Sequence, residues 1–241
     1  MNLIVPGGPG LKANTVKPLA CIVNNSVVLP YEISNEKITP KEAFEEIVTA
    51  GVQILSEVSA NERNVIGHSF GGLIAKAISN KIKTKNTILL GTPIDKSCYQ
   101  NVFDNYSLKA DEITKKLGAK YSENPTDNTL ANWLSSYGKL YFSEDFIEAG
   151  GKMLMEDSVN SKIFSKMSQY GFEICEEVFE EKSHGRIVTA AGLKDELINT
   201  GSLLLSSIKF NLKFCEITQG SHFSIFESPE SIKFLIEKGE T

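Results

Sequence analysis

The stretch Val65-Ile66-Gly67-His68-Ser69-Phe70-Gly71-Gly72 sets one serine between two glycines, with aliphatic β-branched residues before it and a run of helical character after it. Where a strand turns at once into a helix, the turn residue is held in a strained backbone conformation and side chains on its neighbours collide with both elements. Glycine at 67 and 71 removes that collision. The Ser69 hydroxyl is then presented at the N-terminus of a helix, whose dipole favours developing negative charge. Because a serine hydroxyl is a poor nucleophile at neutral pH, attack on a carbonyl needs a base within hydrogen-bonding reach and an acid to orient that base.

The sequence holds three histidines. His68 adjoins Ser69, and its side chain is expected to leave the turn in another direction. His184 precedes Gly185, where a surface or hinge role is expected. His222 lies in the loop Gln219-Gly220-Ser221-His222, after the last predicted strand and at the sheet edge where Ser69 belongs, so it is the expected base. Asp195 follows the strand-like Ile187-Val188-Thr189-Ala190-Ala191-Gly192 on the same edge and is the expected acid. Capping of a helix is its other possible use, and Asp95 is the second candidate. Two backbone N–H groups are needed to hold a carbonyl oxygen as it becomes tetrahedral. Phe70 offers one, and Gly8 of Val5-Pro6-Gly7-Gly8-Pro9-Gly10 offers the other, since Pro9 has none.

The elements that must position these residues alternate. Residues 3–5, 26–30, 64–66 and 87–90 read as short buried strands. Between them, Thr39-Pro40-Lys41-Glu42 supplies a helix cap, a proline at the first turn and a capping glutamate, followed by apolar residues at helical spacing from Phe44 to Val58. Such alternation predicts a parallel sheet with right-handed crossovers. From 96 to 184 the pattern turns wholly helical. Leu130, Trp133, Leu134, Tyr137, Leu140 and Tyr141 form one apolar stripe, and Val159, Ile163, Met167 and Tyr170 another. Strands return at 186–192 and 212–218, and Ser228-Pro229-Glu230 opens a last helix with Gly239 at its end.

At 241 residues and 41% hydrophobic, the chain can bury one sizeable core. The net charge of −5 is spread along the chain, which argues against a nucleic-acid surface or a polybasic membrane anchor. The four cysteines lie far apart without metal-ligand or disulfide-scaffold spacing, so they read as buried apolar residues of a reducing compartment. With no signal-peptide pattern and no membrane-length apolar run, a cytoplasmic protein with no membrane, metal or cofactor partner is expected.

Together, Pro6-Gly7-Gly8-Pro9-Gly10, Gly67-His68-Ser69-Phe70-Gly71-Gly72, Asp195 and His222 resemble the α/β-hydrolase superfamily in its chain order of serine, acid and histidine. The resemblance covers residues 1–95 and 185–241, which it makes the core, and leaves 96–184 as a helical cap. It implies an α/β fold with a mostly parallel central sheet, helices on both faces, and hydrolysis of an ester or amide of a small molecule or short peptide. Trp133, Tyr137 and Tyr141 are then candidates for an apolar ceiling over the serine. Gly7-Gly8-Pro9-Gly10 is similar to the oxyanion loop of proline iminopeptidases, which hold a substrate amine with carboxylates from a helical cap. Glu176, Glu177, Glu180 and Glu181 are the residues here that could do so. Two positions depart from that pattern: Pro6 stands where that family has histidine, and Phe70 where it carries tryptophan or tyrosine. Gly67-His68-Ser69-Phe70-Gly71-Gly72 is also similar to esterases and thioesterases. Thioesterase, acyltransferase, carbon–carbon hydrolase and non-catalytic ligand binding remain open alternatives.

Overall fold

In the computed structural model, which describes residues 1–157 and 159–238, six aliphatic segments pair into one parallel sheet. They are β1 (Asn2–Val5), β2 (Ser26–Val28), β3 (Asn64–His68), β4 (Asn86–Leu90), β5 (Arg186–Gly192) and β6 (Lys213–Ile217), in the order β2-β1-β3-β4-β5-β6. The order reverses direction at β1 and β3, and the loops leaving their carboxyl ends carry Gly7-Gly8 and Ser69. Ligands of open α/β sheets gather at such a crevice.

Helices cover both faces. α1 (Lys17–Ile22), α2 (Pro40–Ser56) and α3 (Phe70–Lys81) precede β4. The helical segment between β4 and β5 comprises α4 (Lys96–Lys109), α5 (Glu112–Glu123), α6 (Asp127–Ser135), α7 (Ile147–Glu156), α8 (Ser161–Met167) and α9 (Tyr170–Glu180). α10 (Thr200–Lys209), α11 (Ser224–Glu227) and α12 (Pro229–Lys238) are the remaining described α-helices; Gly239, expected to close the last helix, lies outside the described residues. Alternation along β1 divides the core, since Leu3 and Val5 pack with Phe44, Leu73 and Ile78 of α2 and α3, whereas Ile4 packs with Leu19 and Ile232 of α1 and α12. Each such fully buried aliphatic side chain contributes about 1.5–3 kcal/mol.

The expected capping box of α2 is present, with the Thr39 side chain accepting from Glu42 N and Glu42 accepting from Thr39 N. Three local expectations differ. Strand β2 stops at Val28, because Pro30 has no N–H to give a sheet ladder. The stripe from Leu130 to Tyr141 is not one helix: α6 ends at Ser135 and the chain turns through Gly138 at φ 49°. The second stripe likewise splits between α8 and α9. Cys98 and Cys175 are buried as expected, but Cys21 is exposed on the short α1.

Residues 96–184 form more than a roof. Ile163 and Met167 of α8 and Ile174 and Val178 of α9 join the same core as α2 and α3, while Leu130, Leu134 and Leu154 join the opposite one. Lys76 of α3, 2% exposed, fastens α9 by donating to the carbonyls of Val178 and Glu181, each at 2.9 Å. Burial lowers its pKa to about 8. No described helix is long and apolar enough to cross a membrane.

Candidate active site

Ser69 joins β3 to α3 with φ 51° and ψ −125°, a backbone conformation rare for any residue with a side chain. Its N–H donates to Leu90 O at 2.7 Å. The flanking glycines are sterically required: a Cβ on Gly67 would lie 2.5 Å from Gly71 O, and one on Gly71 would lie 2.1 Å from Pro6 O. The helix start and the Pro6-Gly7-Gly8 loop thus touch backbone to backbone.

His222 and Asp195 come to this same edge. His222 Nε2 lies 3.1 Å from Ser69 Oγ, and His222 Nδ1 lies 3.0 Å from Asp195 Oδ2. A carboxylate only accepts, so Nδ1 carries the proton and Nε2 faces the serine hydroxyl as acceptor. Asp195 Oδ1 accepts from Leu197 N at 2.9 Å and Ile198 N at 2.8 Å, so the residue both caps its turn and meets the imidazole. The two side chains are 0% and 2% exposed, Asp195 and His222 respectively, which excludes competing water from their bond. Their loops converge because a Cβ on Gly192 would sit 2.1 Å from Gly220 O, an approach open only to glycine. Asp95 is engaged elsewhere, capping α4 at Cys98 N (3.0 Å) and pairing with Lys209 at 3.5 Å. His184 is exposed at the return from the helical segment.

Gly8, at φ 50°, and Phe70 line one cavity with Ser69. Tyr31 holds the loop in place by donating from its buried hydroxyl to Pro6 O at 2.7 Å, and burial raises the phenol's pKa. No family model matches the sequence, and no curated protein matches it. Solved structures do. One from a study of carboxylesterases of Nitrososphaera gargenis superposes with a TM-score of 0.66 at 13% identity, over 98% of this chain and 88% of that one. An alpha/beta fold family hydrolase from Bacillus anthracis gives 0.64 at 12%, over 99% and 91%. A proline iminopeptidase from Mycobacterium smegmatis gives 0.58 at 15%, over 98% and 87%. The chain has the α/β-hydrolase fold.

Within this α/β-hydrolase fold, several residues with no nucleophile or base chemistry of their own steady the histidine. His68 does leave the serine turn in another direction, and its Nε2–H donates to His222 O at 2.8 Å. Its ring is wholly buried, so burial, with the neighbouring His222 adding to it, pushes its pKa down to about 3 and keeps it neutral. Tyr141 stacks on the His222 ring at 5.5 Å and 19°, and its carbonyl accepts from Ser221 Oγ (2.5 Å) and Phe223 N (3.1 Å). Glu227 accepts from Ser221 N at 2.6 Å and from Ser143 N at 2.7 Å, tying the histidine loop to the helical segment. Tyr141 stands out in sequence as an apolar-stripe residue; the long-range partners of Glu227 and His68 are 84 and 154 positions away and leave no local signal.

The cavity above Ser69 measures about 400 Å³, and Trp133, Tyr137 and Tyr141 are among its walls. None of Glu176, Glu177, Glu180 and Glu181 lines it. Glu176 instead accepts from Lys209 at 3.0 Å, and Glu181 from Asn80 at 3.0 Å. Among the described residues no group of histidine, cysteine and carboxylate side chains is arranged to hold a metal ion.

Proposed function

We propose that the chain is a serine hydrolase that cleaves a carboxylic ester through an acyl-enzyme. The observation that carries this reading is the continuous relay from Ser69 Oγ to His222 Nε2 at 3.1 Å and from His222 Nδ1 to Asp195 Oδ2 at 3.0 Å. Ser69 Oγ bonds to the carbonyl carbon while its proton passes to His222 Nε2, and the carbonyl oxygen takes negative charge between the N–H groups of Gly8 and Phe70. His222 then protonates the departing alkoxide. Water, deprotonated by the same imidazole, releases the acid and restores Ser69. Asp195 holds the imidazole in the required tautomer and offsets its transient charge.

Amide cleavage in the manner of a proline iminopeptidase is the second reading, favoured by the Gly7-Gly8-Pro9-Gly10 loop and the superposition above. The cavity supports the ester, because among the described residues no carboxylate lines it to meet a substrate ammonium. A thioesterase or acyltransferase would use the same relay with another leaving group or acceptor. A fluorophosphonate probe tests the shared step. Wild type is expected to label, while Ser69→Ala is expected to lose labelling and about 10⁴-fold or more of ester turnover with its circular dichroism unchanged. Labelling that persists in Ser69→Ala, or a wild type inert to probe and esters alike, would favour a binding protein.

A further inference from the structure

The walls of the cavity narrow the substrate. Tyrosine phenols apart, no lining side chain among the described residues is ionisable. The rings serve one another: Tyr141 stacks on Tyr137 at 4.3 Å as well as on His222, and Trp133 stacks on Tyr121 at 5.4 Å. Those faces therefore do not form an open cage for a cation. A charged group entering this space would give up its hydration without a counter-ion, which is far costlier than burying a flat apolar body.

The polar lining is neutral: Ser168 and Gln169 contribute to it. The Tyr99 hydroxyl is sealed from the cavity as from solvent, packed where a Cβ on Gly171 would lie 2.2 Å from Oη. Tyr99 therefore offers the cavity its ring and not its hydroxyl.

We propose, resting on the serine-hydrolase reading above, that the site takes uncharged esters with an aromatic acyl body and rejects esters whose acyl body carries a cationic group. Two methyl esters test this: 3-phenylpropanoate, and 3-[4-(aminomethyl)phenyl]propanoate, whose benzylic ammonium stays protonated at pH 7. There the first is expected to exceed the second in kcat/KM by about a hundredfold or more. Fluorophosphonate labelling of Ser69 is the control. Failure to label overturns the serine reading itself. Normal labelling with equal or preferred turnover of the ammonium ester, or with no turnover of either, overturns the substrate inference alone.

Discussion

The two sides of the site are held by opposite means. On the serine side, position is set by backbone within a few residues: Ser69 is strained between β3 and α3, and Gly67 and Gly71 let the turn close against Pro6. On the histidine side, a short tie from Ser221 N to Glu227 is joined by holds from far along the chain. Its carbonyl is taken by His68, its ring lies on Tyr141, its Nδ1 meets Asp195, and the loop around it is tied to Ser143 through Glu227. The turn that carries Ser69 is therefore a nearly self-contained part, whereas His222 is positioned by the whole domain, the helical segment included. His222 is thus the side of the relay more exposed to remote substitutions.

Breaking the local side is expected to have the largest effect. Gly71→Ala drives a methyl group into the Pro6 carbonyl, so urea unfolding is expected to show a loss of about 3 kcal/mol or more. The ester turnover proposed above is expected to fall at least about a hundredfold as the loop bearing Gly8 is displaced. A Gly71→Ala protein with unchanged stability and rate would contradict the steric account of the turn.

The long-range side should respond more gently and in a different parameter. Glu227→Gln keeps the shape but weakens the bonds to Ser221 and Ser143, so about 1–3 kcal/mol of stability is expected to be lost. kcat is expected to drop about tenfold with KM little changed, since Glu227 lines no part of the cavity. A KM effect without a kcat effect would show that the histidine loop does not depend on this tie.

The smallest effect is a change of slope. His68 is held near a pKa of about 3 in the folded chain, against about 6.5 when unfolded, so the unfolded state takes up the proton first. Stability from this group is complete above about pH 6.5 and is lost as pH falls toward 3. His68→Gln keeps a donor for the His222 carbonyl but does not titrate. The difference between wild type and this variant, followed by denaturant unfolding from pH 7 to 4, is expected to shrink as the wild type loses its advantage. A difference constant with pH would mean that His68 is protonated in the folded protein.

Much of the architecture could be read in advance because its causes are local. The capping box at Thr39 and the aliphatic run at 186–192 depend on neighbours in the chain, and both stand where the residues place them. The stripe from Leu130 to Tyr141 misled because helical spacing survives a break: Gly138 turns the chain, yet Trp133, Tyr137 and Tyr141 still reach one cavity. Asp195 and Asp95 show the limit from the other side. Both are aspartates in loops after parallel strands, and only the meeting of Gly192 with Gly220 brings one of them to His222, while the other caps α4.

The residues alone determined the serine turn, the alternation that makes a parallel sheet, and the types of group that can accompany the serine, because steric exclusion at glycine and the periodicity of burial act over a few positions. Tertiary structure alone decided which acid meets the imidazole, that His68, Tyr31 and Glu227 brace the site, that the helical segment is sewn into both cores, and that the cavity is aromatic, with no carboxylate among its described walls. Those outcomes depend on contacts between residues 25 to 154 positions apart, where the geometry of the packed layers, and no neighbouring residue, sets the distance.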